Sequence, residues 1–154
     1  MKMKSLCIVP CGKKKIWDTD PSRGPTQALH VYSGPLVKKC IEYARKFHPH
    51  SWVILSAKFG FLFPSDVIPG DYNVSFNINR TNPITVYKLS YQAIDKNLTD
   101  YDNIVVLGGH NYVNICIQVF GIHKVKSPLS SCRGIGFMLS RIKKAIDNSQ
   151  PFYE

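Results

Sequence analysis

The sequence has no apolar run approaching the about 20 residues that a membrane-spanning helix needs, which excludes a transmembrane helix. Its first residues, Met1-Lys2-Met3-Lys4, run directly into a short apolar segment without the pattern of a signal peptide. Cysteines are few and odd in number, five with no CxxC pair, so a disulfide framework is excluded and a reducing, cytoplasmic setting is expected. Cys7 and Cys11 have no His-x3-His partner, which speaks against zinc, and neither a metal nor a cofactor is expected. Nothing matches GxxxxGK followed by Ser or Thr, which disfavours a P-loop kinase or ATPase. Acidic residues are scarce: 10 Asp and Glu face 20 Lys and Arg, for a net charge of +10 over 154 residues.

The charge is unevenly spread. Residues 1–60 hold 11 basic against 3 acidic side chains, residues 61–120 hold 3 against 5, and residues 121–154 hold 6 against 2. A one-sided basic surface is the footprint of a polyanionic partner. The organising stretch is Leu6-Cys7-Ile8-Val9-Pro10-Cys11-Gly12-Lys13-Lys14-Lys15. The apolar run predicts a strand buried on both faces, ended by Pro-Cys-Gly, with three lysines just past its carboxyl end. Ligands of open parallel sheets bind outside the carboxyl ends of the strands, so the lysines point to a ligand carrying phosphates.

Further along, Pro35 opens a predicted helix to about His48, with Leu36, Val37, Cys40, Ile41, Ala44 and Phe47 on its apolar face. Its other face carries Lys38, Lys39, Arg45 and Lys46, a solvated face that could also touch a phosphate backbone. A second strand is expected over 52–55 and a long functional loop over the next twenty residues. Asn82-Pro83 is read as the N-cap and first position of a helix to about Leu98. A third strand covers 103–107, a third helix runs to about Phe120, a short fourth strand lies at 124–126, and a last helix begins near Ile135. Strand and helix in alternation predict one α/β domain over 1–154, three αβα layers around a central four-stranded parallel sheet, with residues 148–154 frayed.

The loops after the strands then share one rim and hold nearly every residue suited to chemistry. Cys11, Gly12, Lys13, Lys14 and Lys15 are expected to cradle phosphate, joined by Ser56, Lys58, Ser127, Ser130 and Arg133. Gly108 and Gly109 allow a ligand close to the backbone, and Tyr112 opens a helix where anions are favoured. His110 fits a surface imidazole better than a catalyst. Tyr32, Phe59, Tyr72 and Tyr112 offer aromatic faces beside lysines, suited to stacking on a base. The rim carboxylates are Asp18, Asp20, Asp66 and Asp71; a carboxylate in so basic a site stays ionised and could orient water or steady an oxocarbenium ion. Cys11 near the lysines is a candidate nucleophile, although no His or Asp partner lies close in sequence.

Two stretches resemble uracil-DNA glycosylases. Ser127-Pro128-Leu129-Ser130-Ser131-Cys132-Arg133-Gly134-Ile135-Gly136 is similar to that family's SPLSxxRGxxG segment, which carries a catalytic histidine and a phosphate-pinning serine. Val125 and Lys126 stand at the His-Pro positions here. Asp20-Pro21-Ser22-Arg23-Gly24-Pro25-Thr26-Gln27-Ala28 looks like the DPYHGPGQA water-activating loop, with Ser22 in place of its tyrosine. Over nearly its whole length the chain resembles small prokaryotic and phage proteins of the uracil-DNA-glycosylase-like superfamily. The shared stretches are Cys11–Asp18, Tyr32-Ser33-Gly34, Ile54–Leu62, Asp71-Tyr72-Asn73 and Gly108–Tyr112.

The resemblance implies a uracil-DNA-glycosylase-like fold and hydrolysis of an N-glycosidic bond. DNA would be gripped through its phosphates and one nucleotide, carrying a modified or damaged base, flipped into a pocket. Asn73 would serve as the amide that reads the base or positions water, with Asp18 or Asp71 supplying negative charge. The base pocket would be formed by Tyr32, Phe59, Tyr72, Gly108, Gly109 and Tyr112. The protein would act as a monomer in DNA repair. Two other readings stay open: a nucleic-acid-binding module without catalysis, on DNA or RNA, and an enzyme of free nucleosides or nucleotides.

Overall fold

The computed structural model describes residues 3–152. Seven strands and five helices are arranged around one principal sheet. In chain order these are β1 (Ser5–Pro10), β2 (Thr26–Gln27), α1 (Ala28–Val31), α2 (Pro35–Phe47), β3 (Trp52–Ser56), β4 (Gly60–Leu62), β5 (Val67–Ile68), α3 (Val86–Asp95), β6 (Asn103–Val106), α4 (His110–Phe120), β7 (Val125–Lys126) and α5 (Ile135–Asp147). The sheet order is β4-β3-β1-β6-β7. β1 lies at its centre, flanked in parallel by β3 and β6, and β7 is parallel to β6.

The expected four-stranded parallel sheet is therefore corrected to a mixed five-stranded one. β4 folds back antiparallel on β3, with Ser56 opposite Gly60. The hairpin is three residues long on that side, too short to show a period of two in the sequence. Its turn depends on Gly60, whose φ of +79° favours glycine. Two further short strands, β2 and β5, pair antiparallel and tie the loop after β1 to the loop after β4.

Successive residues of a strand face opposite sides. Leu6 and Ile8 thus enter one apolar layer with Val53, Leu55, Ile104 and Val106, closed by Leu89 and Ala93 of α3 and Val113 and Cys116 of α4. Cys7 and Val9 enter the other with Ile54, Val105 and Leu107, closed by Val37, Cys40, Tyr43 and Ala44 of α2 and Met138 and Ile142 of α5. The architecture is αβα.

Two boundaries differ from the sequence reading. α3 starts at Val86, capped by Thr85, whose hydroxyl accepts from the Lys88 N–H; Asn82 instead adopts a left-handed conformation (φ 55°). The cause is tertiary: the Ile84 N–H donates to the carbonyl of Ala57 at 2.7 Å, pinning 82–84 in a non-helical path across the β3–β4 turn. The tail also packs as far as Phe152, which stacks on Tyr43 (centroids 5.0 Å apart) and donates its N–H to the Tyr43 hydroxyl at 2.9 Å. The rest of the segment expected to fray, residues 153–154, lies outside the described residues. No helix among the described residues is long and apolar enough to cross a membrane.

Candidate functional site at the carboxyl edge of the sheet

Because β1, β3, β6 and β7 run parallel, the loops that follow them leave from one edge. The first three loops meet in a connected set of side chains. Tyr72, from the loop after β5, is its hub: its hydroxyl shares hydrogen bonds with Ser56 Oγ at 2.9 Å and with the Tyr32 hydroxyl. Ser56, fully buried at the end of β3, also accepts from the N–H groups of Lys58 and Phe59, which shapes the turn carrying those two residues. Phe59 meets Tyr72 edge to face, centroids 5.3 Å apart. Lys58 Nζ stands 5.3 Å from the Phe59 centroid and 5.6 Å from that of Tyr72.

The three lysines after β1 are not equivalent. Lys13 and Lys14 are exposed, whereas Lys15 is only 4% exposed. Its Nζ donates to the Lys13 carbonyl at 3.0 Å and sits over the Tyr72 ring, 4.4 Å from the centroid. Among the described residues no carboxylate pairs with it. A buried cation without a counter-charge costs on the order of several kcal/mol after relaxation, only partly offset by a cation–π interaction worth roughly 2 kcal/mol when desolvated. A fold that keeps such a group holds a fixed positive potential at this edge.

Tyr112, in the first turn of α4, closes the other flank. Its hydroxyl lies 3.3 Å from Cys11 Sγ, and its ring meets Phe76 edge to face at 5.7 Å. Burial raises the phenol pKa of Tyr32, Tyr112 and Tyr72, that of Tyr72 to about 12. All three hydroxyls stay protonated near neutral pH, so they can donate hydrogen bonds but not serve as bases.

Several expected ligand groups lie beneath this surface instead of on it. Cys11 is 5% exposed and covered by Tyr112, Tyr32 is 2% exposed, and Ser56 is buried; they support the edge from below, and Cys11 cannot meet a substrate as nucleophile or phosphate ligand. Gly108 also has a different reason to be glycine. A Cβ there would stand 2.8 Å from Tyr112 Cβ and 2.9 Å from its ring, so the bare face of Gly108 accommodates the tyrosine and not a ligand. Gly109 is the N-cap of α4, and a Cβ there would meet Met138 Cε at an ordinary 3.7 Å. Gly12 adopts φ +70° at the start of the lysine turn.

The three candidate catalytic residues are all exposed. Asp18 accepts the Lys15 N–H at 2.9 Å through Oδ2, and Asp71 accepts the Tyr72 N–H at 2.8 Å through Oδ1. Asn73 follows Tyr72 directly at the surface. The Ser127–Gly134 stretch leaves the same edge after β7 but turns toward α5. Leu129 is buried, Ser130 Oγ donates to Ser127 Oγ at 3.1 Å, and Arg141 donates to the Pro128 carbonyl at 2.9 Å. Arg133 lines a separate hollow of about 410 Å³ with Phe137 and Arg141. No three His, Cys, Asp or Glu side chains gather at one point among the described residues.

Sequence reasoning overlooked Gln92 on α3. Its Oε1 accepts from the Phe61 N–H at 2.8 Å and its Nε2 donates to the Phe59 carbonyl at 2.9 Å, while Lys96 Nζ donates to the Phe61 carbonyl at 2.8 Å. These side chains satisfy the free edge of β4 and hold the turn that presents Lys58 and Phe59.

Fold and site together define an α/β protein with a cationic, tyrosine-lined edge. The chain belongs to the family described as "Family of unknown function (DUF6884)", whose model matches residues 6–144. It is 43% identical over 146 residues to the uncharacterized protein YfjM of Bacillus subtilis (strain 168), covering 94% of this chain and 97% of that protein. No solved structure matches it.

Proposed function

We propose that the carboxyl edge binds DNA and that the chain hydrolyses the N-glycosidic bond of a modified or damaged base flipped out of the duplex, on a uracil-DNA-glycosylase-like fold. The observation that carries this reading is Lys15, a buried ammonium without a carboxylate partner, resting on Tyr72 and flanked by exposed Lys13, Lys14 and Lys58. Cations and aromatic rings alternate here as a phosphate backbone and an unstacked base require. The five cysteines, all free thiols, suit a reducing cytoplasm.

In the reaction the C1′–N bond breaks with its electron pair leaving on the base, the oxygen of water bonds to C1′, and the proton that this water loses ends on the departing base. Asn73 orients that water. Asp18 and Asp71 stabilise the oxocarbenium-like state, each held in orientation by the backbone N–H it accepts. Gly109, the N-cap of α4, lies at the helix terminus where a departing base anion is stabilised by backbone N–H groups.

A second reading, binding without catalysis, draws on those same two hydrogen bonds, since a carboxylate bonded within its own turn also serves as a turn residue. One experiment separates the two. Duplexes carrying a panel of modified bases are incubated with the protein, the released base is identified by mass spectrometry, and abasic sites are read as alkali-labile breaks. An enzyme releases one base from the panel, and Asn73→Ala or Asp18→Ala abolishes release with binding kept. A binder releases none from any duplex that it retains.

A further inference from the structure

We propose a second anion site on the flank of α2, which seats a backbone phosphate of the same nucleic-acid strand; it rests on the DNA-binding reading above. A hollow of about 310 Å³ lies between the loop after β1, α1 and α2, with Arg23, His30, Ser33, Lys38 and Arg45 around it and Tyr32 in its wall. Arg23, Lys38 and Arg45 converge from two separate chain segments, and none of their charged groups has a hydrogen-bond or ion-pair partner among the described residues.

The neighbourhood keeps these charges uncompensated. An adjoining hollow of about 440 Å³ shares Lys38 and Arg45 and adds Lys46 and one carboxylate, Glu42. That carboxylate is already engaged by Lys39 Nζ at 2.9 Å. Like charges held around one concavity repel each other, and an anion placed between them relieves that repulsion while accepting hydrogen bonds from two guanidinium groups. The loop is anchored for this: the Trp17 indole N–H donates to the Arg23 carbonyl at 2.7 Å, and Trp17 is itself buried.

Tyr32 links the two places. It is one of the residues that line the α2 hollow, and its hydroxyl bonds Tyr72 at the carboxyl edge. A strand whose flipped nucleotide lies at the edge thus has a neighbouring phosphate at Arg23, Lys38 and Arg45. A free mononucleotide occupies one place or the other, whereas an oligonucleotide spans both.

The test is fluorescence anisotropy with labelled 20-mer duplex DNA over a salt series, comparing wild type with Arg23→Gln/Lys38→Gln/Arg45→Gln and with Lys13→Gln/Lys14→Gln. The triple variant is expected to bind about tenfold or more weakly at 0.1 M salt and to lower the slope of log affinity against log salt by about 0.9 for each phosphate no longer neutralised. A charge-keeping variant, Lys38→Arg/Arg45→Lys, should bind like wild type, and thermal unfolding checks that each variant folds. An unchanged slope in the triple variant, with binding abolished in Lys13→Gln/Lys14→Gln, overturns the α2 site and leaves the edge reading intact. No binding by wild type overturns both. Equal competition by inorganic phosphate and by oligonucleotide, without dependence on length, makes the hollow a free-phosphate site and also overturns the proposal.

Discussion

Replacing Lys15 by methionine is expected to weaken DNA binding by about tenfold or more, equivalent to about 1.4 kcal/mol, while the fold becomes no less stable. The two effects have one cause. Lys15 is buried with a single carbonyl acceptor and an aromatic face as its partners. Methionine keeps the length and apolar stem of lysine and removes the desolvation cost of the charge, and replacing buried charges by apolar groups is commonly neutral or stabilising by roughly 1–4 kcal/mol. Stability gained at the expense of binding is the signature of a residue kept for function. Urea unfolding and DNA titration on the same preparation decide it. A Lys15→Met protein that is clearly less stable shows the ammonium to be structural, and one that binds DNA as well as wild type overturns its role in binding.

The second large effect concerns the turn that presents Lys58 and Phe59. Gly60→Ala places a Cβ in collision with the Gln92 side-chain amide, at a φ of +79°. The left-handed backbone alone costs about 1–2 kcal/mol, and expelling Gln92 leaves two backbone groups without partners at about 1–3 kcal/mol each. The total expected is about 3–8 kcal/mol, reaching the range that is exceptional for a single substitution. Gln92→Ala removes the same two hydrogen bonds without backbone strain, so about 2 kcal/mol or more is expected. Once Gln92 has gone the added methyl no longer collides, and the double variant should be less destabilised than the sum of the singles, by about 1 kcal/mol or more. Additive losses in urea unfolding would mean that the two residues do not share one constraint.

The parts of the fold legible in the sequence are those set by local chemistry. Pro35 at the first position of α2, with an apolar face that recurs at helical spacing, is enough to place that helix, and the apolar runs of β1, β3 and β6 suffice for the strands. What stayed illegible depends on partners far along the chain. The start of α3 is set by Ile84 bonding to Ala57, and the open side of β4 is satisfied by Gln92 of α3 and by Lys96, the residue that caps that helix.

The site divides in the same way. Three consecutive lysines after a strand announce a cationic edge, but only Tyr72 makes Lys15 different from its neighbours. Likewise Gly108 reads as room for a ligand until Tyr112, one helical turn later, is found packed against it. The aromatics expected as a base platform thus separate into buried Tyr32, half-buried Tyr112 packed against Cys11 and Gly108, and the half-buried pair Phe59 and Tyr72, whose rings lie beside cations.

The location of the binding edge is tested most directly by titrating isotope-labelled protein with a short duplex and following backbone amide resonances. Shifts concentrated at Gly12–Lys15, Lys58–Phe59, Tyr72–Asn73 and Gly109–Tyr112 are the predicted result. Shifts gathered instead at the opposite end of the sheet, around the hollow of about 290 Å³ lined by Lys4, His50, Lys96 and Tyr101, would contradict it.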